Sequence, residues 1–324
     1  MGEPAGIGPE IAAMAWLRRK EDLPDLFAIG DPGVFAAALE QIGADVRVRE
    51  IADPRETADS GDALPVLPVR LPAPPTPGSP RSDHAAAVIE AIARAARLAI
   101  EGRIAGLVTN PIQKKSLYDA GFAHPGHTEF LAHLTGAATP VMMLAVPGLR
   151  VVPVTIHLPL RDVVVTLTRR MIVETGRITA AALRQDFGIP APRLAVSGLN
   201  PHAGEGGGMG GEELTVIEPA IADLRADGID AFGPLPADTM FHAAARSRYD
   251  AALCMYHDQA LIPLKTIDFD HGVNVTLGLP IVRTSPDHGT ALDIAGTGKA
   301  NPESLMSALR LAGEIAAHRA RHGA

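Results

Sequence analysis

Cysteine is nearly absent: Cys254 is the single thiol in 324 residues. One thiol excludes an internal disulfide, so a reducing, cytoplasmic setting is expected. Within "AALCMY" it reads as a small buried apolar residue rather than a nucleophile. Long apolar runs are missing as well. None reaches the roughly 18 residues of a membrane-spanning helix, and the N-terminus lacks the basic-then-apolar pattern of a secretion signal. A soluble protein without a membrane partner is the expectation. Charged residues are sparse at 20%, and the net charge is −8. That balance excludes the broad basic footprint of a nucleic-acid binder, though a local pocket can still take a small anion. Apolar residues, at 47%, are plentiful enough to build one large or two medium domains.

Apolar, β-branched runs alternate with stretches of helical period. Strands are expected at 26–30, 45–51, 104–109, 140–146, 149–156, 193–199, 251–256 and 272–278. Helices are expected at 9–19, 32–42, 84–102, 128–135, 171–186, 212–227 and 302–320. This alternation predicts an α/β fold with a largely parallel sheet. Proline crowds "LPVLPVRLPAPPTPGSPRSD" (64–83), which reads as a surface connector because proline fixes φ and removes a donor. The opening "MGEPAGIGPEIAAMAWL" is a Gly/Pro turn before a helix. Such a turn normally follows a strand, so either an edge strand is absent or the chain begins upstream.

Three of the twelve histidines follow apolar runs and adjoin turn residues: His157 in "VTIHLPL", His202 in "GLNPHAGE" and His257 in "CMYHDQ". The carboxyl ends of parallel strands form the ligand-binding edge of an α/β sheet. Three imidazoles there, with open positions left over, suit a divalent metal such as Zn²⁺, Co²⁺, Ni²⁺ or Mn²⁺, and Mg²⁺ is the further candidate. Each histidine alone equally fits a hydrogen-bonded structural residue. Asp258 and Asp238 are candidate partners that would fix a ligand's tautomer; Asp238 also fits a helix cap. His127 and Thr128, in "HPGHTEFLAHL", open a short helix whose free N–H groups attract anions. Lys265, Asn274 and Arg283 are candidates for a substrate phosphate or carboxylate, Arg offering a fork and Lys a point charge.

The loop "NPHAGEGGGMGGEE" (200–213) contains G-x-G-x-x-G at Gly206, Gly208 and Gly211. A Rossmann cradle opens directly at the strand end. Here residues 200–205 intervene, so the dinucleotide reading fails on context.

"SPDHGTALDIAGTGKANP" (285–302) resembles the adenine-side loop of the isopropylmalate and isocitrate dehydrogenases, which are metal-dependent oxidative decarboxylases of non-Rossmann fold. Six further motifs, "GEPAGIGPE", "GHTEFLA", "GLNPHAGEGG", "GPLPADT", "MYHDQ" and "GVNVTLGLP", together resemble the 4-hydroxythreonine-4-phosphate dehydrogenase family of vitamin B6 biosynthesis. The likeness runs from residue 2 to about residue 310.

The resemblance implies two α/β domains with a cleft between them, isopropylmalate-dehydrogenase-like, as 1–125 plus 285–324 on the nucleotide side and 126–284 carrying the metal ligands and dimer interface. It implies a homodimer with shared active sites. His157, His202 and His257 would bind one divalent metal, His257 coming from the partner subunit. His127, Thr128, Lys265, Asn274 and Arg283 would bind a small phosphorylated amino acid. NAD or NADP would lie near His288, Gly289, Thr290, Gly296 and Asn301. Lys265 would handle the proton while the C3 alcohol of 4-phosphohydroxy-L-threonine is oxidised, and decarboxylation would give 3-amino-2-oxopropyl phosphate. The same fold acting on D-threonate or D-erythronate 4-phosphate, or on a cis-dihydrodiol carboxylate, is the alternative. A three-histidine zinc hydrolase needing no nicotinamide belongs to another class, as does a non-catalytic nucleotide sensor.

Overall fold

The computed structural model describes residues 1–20 and 22–321. The chain forms two compact units, one of Met1–Pro140 with Leu279–Ala316, the other of Val141–Gly278 with the residues from Ala317 onward. Both are α/β. The divisions lie at 140 and 279, not at the expected 125 and 285. His127, Thr128 and Arg283 therefore belong to the first unit, whereas His157, His202, His257, Lys265 and Asn274 belong to the second.

The first unit opens with the Gly/Pro turn and α1 (Gly8–Leu17), which carries Pro9 in its first turn, where no amide hydrogen bond is lost. β1 (Ala28–Gly30) leads to α2 (Pro32–Gln41), capped by Asp31, whose carboxylate accepts from the Gly33 amide at 2.8 Å. β2 (Val48–Glu50) and β3 (Leu64–Pro68) follow. Then come α3 (Ala85–Ile100), β4 (Leu107–Val108), α4 (Lys114–Asp119) and α5 (His127–Thr135).

In the second unit, β5 (Val141–Val146) and β6 (Leu149–Pro153) form a hairpin, and α6 (Leu160–Thr166) and α7 (Arg169–Gln185) follow. β7 (Arg193–Ser197), α8 (Glu218–Ala226), β8 (Asp230–Leu235), α9 (Ala243–Arg246), β9 (Ala251–Cys254), α10 (His257–Ile267) and β10 (Val273–Leu277) complete it. The chain returns to the first unit with β11 (Arg283–Pro286), parallel to β4, and α11 (Glu303–Arg321).

The order β1-β3-β2 is parallel throughout and puts β3 at the centre. This corrects the reading of 64–83 as wholly irregular. Pro65 and Pro68 each forfeit a ladder donor, which ordinarily argues against a central strand. Leu64, Val66 and Leu67 outweigh that loss, for all are essentially inaccessible, and each such side chain stabilises the fold by about 1.5–3 kcal/mol. Residues 69–81 are irregular, as proline predicts. An apolar cavity of about 230 Å³ is lined by residues of β1 and β4, with Phe35 and Leu305.

In the second unit the strands run β10-β5-β6-β9-β7-β8, antiparallel at β10-β5-β6 and parallel from β6 onward. β9 is buried along its whole length, as a strand covered on both faces must be. Cys254 is fully buried among Leu144, Val151, Ala252 and Leu264, and burial pushes its thiol far above the ordinary range. It is a packing residue, as expected. α10 and α6 were not anticipated, nor were β8 and β11. α10 carries Pro263 in its interior, the residue that ordinarily ends a helix.

Candidate functional site

The three histidines sit where the sheet predicts, after β6, β7 and β9, neighbouring parallel strands of the second unit. His257 begins α10, and its Nδ1 hydrogen bonds to the Asp258 carboxylate at 2.7 Å. That contact orients the ring and leaves Nε2 for a ligand. The His157 and His257 rings lie 5.9 Å apart, centroid to centroid, tilted by 39°. Two imidazoles at that separation fit one ion between them. His202 is exposed on its own loop, and among the described residues no three His, Cys, Asp or Glu groups converge on one point. A single chain thus presents His157 and His257 as a ring pair. Asp238 lies exposed on the turn Ala237–Thr239.

Backbone strain marks two of these histidines. His157 has φ +52° and His202 φ +54°, a region that costs a side-chain-bearing residue about 1–2 kcal/mol. His202 opens a left-handed run through Ala203, Gly204, Glu205 and Gly206. Such conformations persist only where the surroundings over-determine them, and they cluster at functional sites. Of the three glycines in the G-x-G-x-x-G spacing, only Gly206 has a positive φ.

Buried polar side chains missed from sequence tie these strand ends together. Gln259 accepts from the Ser197 hydroxyl and from the Met255 amide, each at 2.7 Å, and donates to the Gly198 carbonyl at 2.7 Å. The Thr155 hydroxyl donates to the Met255 carbonyl at 2.7 Å. Glu213, 1% exposed, accepts from the amides of Leu199 and Asn200 at 2.8 and 2.7 Å. Burial alone would raise its carboxyl; hydrogen bonds from Asn200 and Leu199 more than offset this and hold it below the ordinary value. The letters of "MYHDQ" and "GGEE" contain Gln259 and Glu213, but only the fold shows what they accept and donate to.

Lys265 lies near the C-terminus of α10, its Nζ 5.6 Å from the centre of the Phe269 ring. Asn274, on β10, carries a buried Oδ1 with no hydrogen-bond partner. Buried polar atoms are nearly always paired, so this one marks a place for a donor.

In the first unit, His127 and Thr128 begin α5, and Arg283 begins β11. Arg283 is 4% exposed and donates through Nη2 to the Thr109 hydroxyl at 2.7 Å. Burial pushes its guanidinium down to about 10, against the pull of Glu129; it remains charged at neutral pH. Nε2 of His127 is sealed from solvent without a partner. Burial, with the charges of Arg283 and Lys114, holds this imidazole well below its ordinary value, so it is neutral at pH 7. A cation, a neutral imidazole and the amides of a helix start form a cluster suited to an anion. Thr109 is its unforeseen member.

The 288–301 loop packs against the opening Gly/Pro turn. The Ile7 amide donates to the Thr290 carbonyl at 3.0 Å, and a Cβ at Gly6 would stand 2.9 Å from that oxygen. Glu10, 3% exposed, accepts from the amides of Gly296 and Ala300 at 3.2 and 3.4 Å. His288 has a buried Nε2 without a partner, whereas Gly289 and Asn301 are exposed.

Two α/β units, a histidine-bearing strand edge and a buried cluster suited to an anion are consistent with an α/β dehydrogenase. The chain belongs to the family described as pyridoxal phosphate biosynthetic protein PdxA, which it matches over residues 22–312. It is 55% identical to the 4-hydroxythreonine-4-phosphate dehydrogenase of Bradyrhizobium diazoefficiens, over 98% of this chain and 96% of that one. It is 54% identical to that of Caulobacter vibrioides, again over 98% and 96%. Among solved structures, the 4-hydroxythreonine-4-phosphate dehydrogenase of Klebsiella pneumoniae is similar with a TM-score of 0.89 and 39% identity, covering 98% of both chains. A terephthalate 1,2-cis-dihydrodiol dehydrogenase of Burkholderia xenovorans is more distant, with a TM-score of 0.64 and 28% identity over 96% and 95%.

Proposed function

We infer that this chain is a 4-hydroxythreonine-4-phosphate dehydrogenase acting in pyridoxal phosphate biosynthesis, with NAD or NADP and one divalent metal ion. Family membership at 55% identity over almost the full chain supports the activity. The observation that carries the chemistry is the His157–His257 ring pair at the ends of adjacent parallel strands. The donor set fits a metal of the Zn²⁺, Co²⁺ or Mn²⁺ kind: imidazole nitrogens, with one ring oriented by a carboxylate. His157, His202 and His257 would hold it. The resemblance draws His257 from the partner subunit, so the three-ligand set would be completed between two copies of the chain.

When bound, the ion would supply Lewis acidity toward the substrate C3 hydroxyl, and a nicotinamide would supply the hydride acceptor. Arg283, His127 and Thr128 bind the substrate phosphate. Asn274 offers its unpaired Oδ1 to a substrate donor. Lys265 takes the hydroxyl proton. The 288–301 loop, held by Glu10, binds the nucleotide. Oxidation at C3 leaves the carboxylate β to a ketone, and its loss as CO₂ gives 3-amino-2-oxopropyl phosphate.

Self-association fits the large apolar side chains exposed on α6 and α10, among them Leu160, Val165 and Ile262. No helix among the described residues is long and apolar enough to cross a membrane; with one buried thiol, this supports a cytoplasmic enzyme.

The test is NADH formation from 4-phosphohydroxy-L-threonine with and without a chelator. A flat, chelator-insensitive trace refutes the assignment. The dihydrodiol dehydrogenase likeness motivates a substrate panel that also includes D-threonate 4-phosphate, D-erythronate 4-phosphate and a cis-dihydrodiol carboxylate. The higher identity to the first group favours the phosphorylated amino acid.

A further inference from the structure

We propose that Glu213 is a positioning residue for His202, holding the left-handed turn that presents its imidazole. This rests on the reading of His202 as a metal ligand. Three non-glycine residues, His202, Ala203 and Glu205, take positive φ in succession with Gly204 and Gly206. No ordinary L-residue sequence adopts such a turn unaided. Something on the far side must hold it, and the buried Glu213 carboxylate occupies that position.

The contacts are specific on both carboxylate oxygens. Oε1 accepts from the Leu199 and Asn200 amides at 2.8 and 2.7 Å, fixing the chain just before His202. Oε2 accepts from the Asn200 side-chain amide at 3.0 Å, which also donates to Glu212 at 2.8 Å. Oε2 lies so near Gly204 that a Cβ there would stand 2.5 Å away, and a Cβ at Gly198 would stand 2.7 Å from the Ala203 Cα. The turn and the carboxylate are thus packed against each other with no room for a methyl group. Glu213 opens a π-helical turn, Glu213–Ile217, a distortion frequent at functional sites. From the other side, Gln259 grips Ser197 and Gly198 and joins them to the Met255 segment before His257. The strand end is pinned by Gln259, and the turn beyond it by Glu213.

A carboxylate is needed because every group facing it is a donor. An amide in its place turns an N–H₂ toward the Asn200 side chain. Full-length Glu213→Gln is titrated with Zn²⁺ alone beside wild type and His202→Ala, and amide exchange is followed across 199–206. The expected result is a dissociation constant raised about 10–100-fold, with faster exchange confined to that segment and an unchanged circular dichroism spectrum. Adding Ala203→Gly to Glu213→Gln recovers part of the affinity, because glycine takes a φ near +52° freely. A carboxylate that merely stabilised the unit gives no such rescue.

Wild-type affinity in Glu213→Gln, with affinity lost in His202→Ala, overturns the proposal. If His202→Ala binds Zn²⁺ as tightly as wild type, or wild type takes none, the metal reading of His202 fails. The positioning role then stands or falls on exchange alone, and unchanged protection across 199–206 overturns it. Should Glu213→Gln not fold, Gly204→Ala attacks the same contact with the carboxylate retained. It should reproduce the weakened binding, and an undiminished Zn²⁺ affinity there counts against the role.

Discussion

The ring of His157, on the segment after β6, lies 5.9 Å from the ring of His257 at the start of α10. Parallel pairing of β6 with β9 brings them together, and the Thr155 hydroxyl on the Met255 carbonyl fixes the two segments against each other. Replacing either ring with alanine should abolish tight Zn²⁺ or Co²⁺ binding. Activity on 4-phosphohydroxy-L-threonine should fall by about 10³-fold or more, since Lewis-acid stabilisation is worth several kcal/mol and each 1.36 kcal/mol is tenfold. Calorimetry and NADH absorbance check this. A variant retaining both metal and turnover would refute the pair's role.

Arg283 is a buried cation that donates to the Thr109 hydroxyl. Arg283→Lys keeps the charge but loses the fork, so KM for the phosphorylated substrate should rise about tenfold or more. Zn²⁺ affinity should not change, because the histidines belong to the other unit. Steady-state kinetics and metal titration on one preparation separate the two effects.

His127 gives a pH dependence of stability. Its imidazole titrates well below the ordinary value of 6.5 in the folded chain. The unfolded chain therefore takes up a proton first as pH falls. Its contribution is fully present above about 6.5 and is lost as pH drops toward the folded value, by at most about 1.4 kcal/mol per pH unit. Thermal unfolding followed at pH 7.5 and 5.5 should show a smaller fall in Tm for His127→Asn than for wild type. Equal slopes would assign the acid sensitivity to other groups.

Glu10 accepts from two amides of the 288–301 loop. Glu10→Ala frees that loop and leaves buried donors unpaired, at a cost of about 1–3 kcal/mol in stability. KM for the nicotinamide nucleotide should rise, with little change in phosphate binding by the Arg283 pocket. Comparing KM for NAD with inhibition by inorganic phosphate tests this; a nucleotide KM that stays put removes the loop from the cofactor site.

Cys254 is enclosed by apolar side chains, and its thiol is held neutral. The folded protein should resist thiol reagents that label it after denaturation. Rapid labelling of active native enzyme would contradict that packing.

The sequence by itself determined the α/β alternation, since periods of about 3.6 and 2 in apolar residues depend only on which face is buried. It also determined that His157, His202 and His257 stand at strand ends, because each follows an apolar run that could only be a covered strand. Proline misled it at β3, where local propensity yielded to burial of Leu64, Val66 and Leu67, and α10, which carries Pro263, went unread. Only the tertiary structure decided that His157 and His257 are neighbours, that Thr109 meets Arg283, and that Glu213 and Gln259 brace the loop of His202. Those contacts join residues far apart in the chain. Hydrogen bonds of this kind depend on which strands lie side by side and on which atoms face inward, and no local pattern of residue types encodes either.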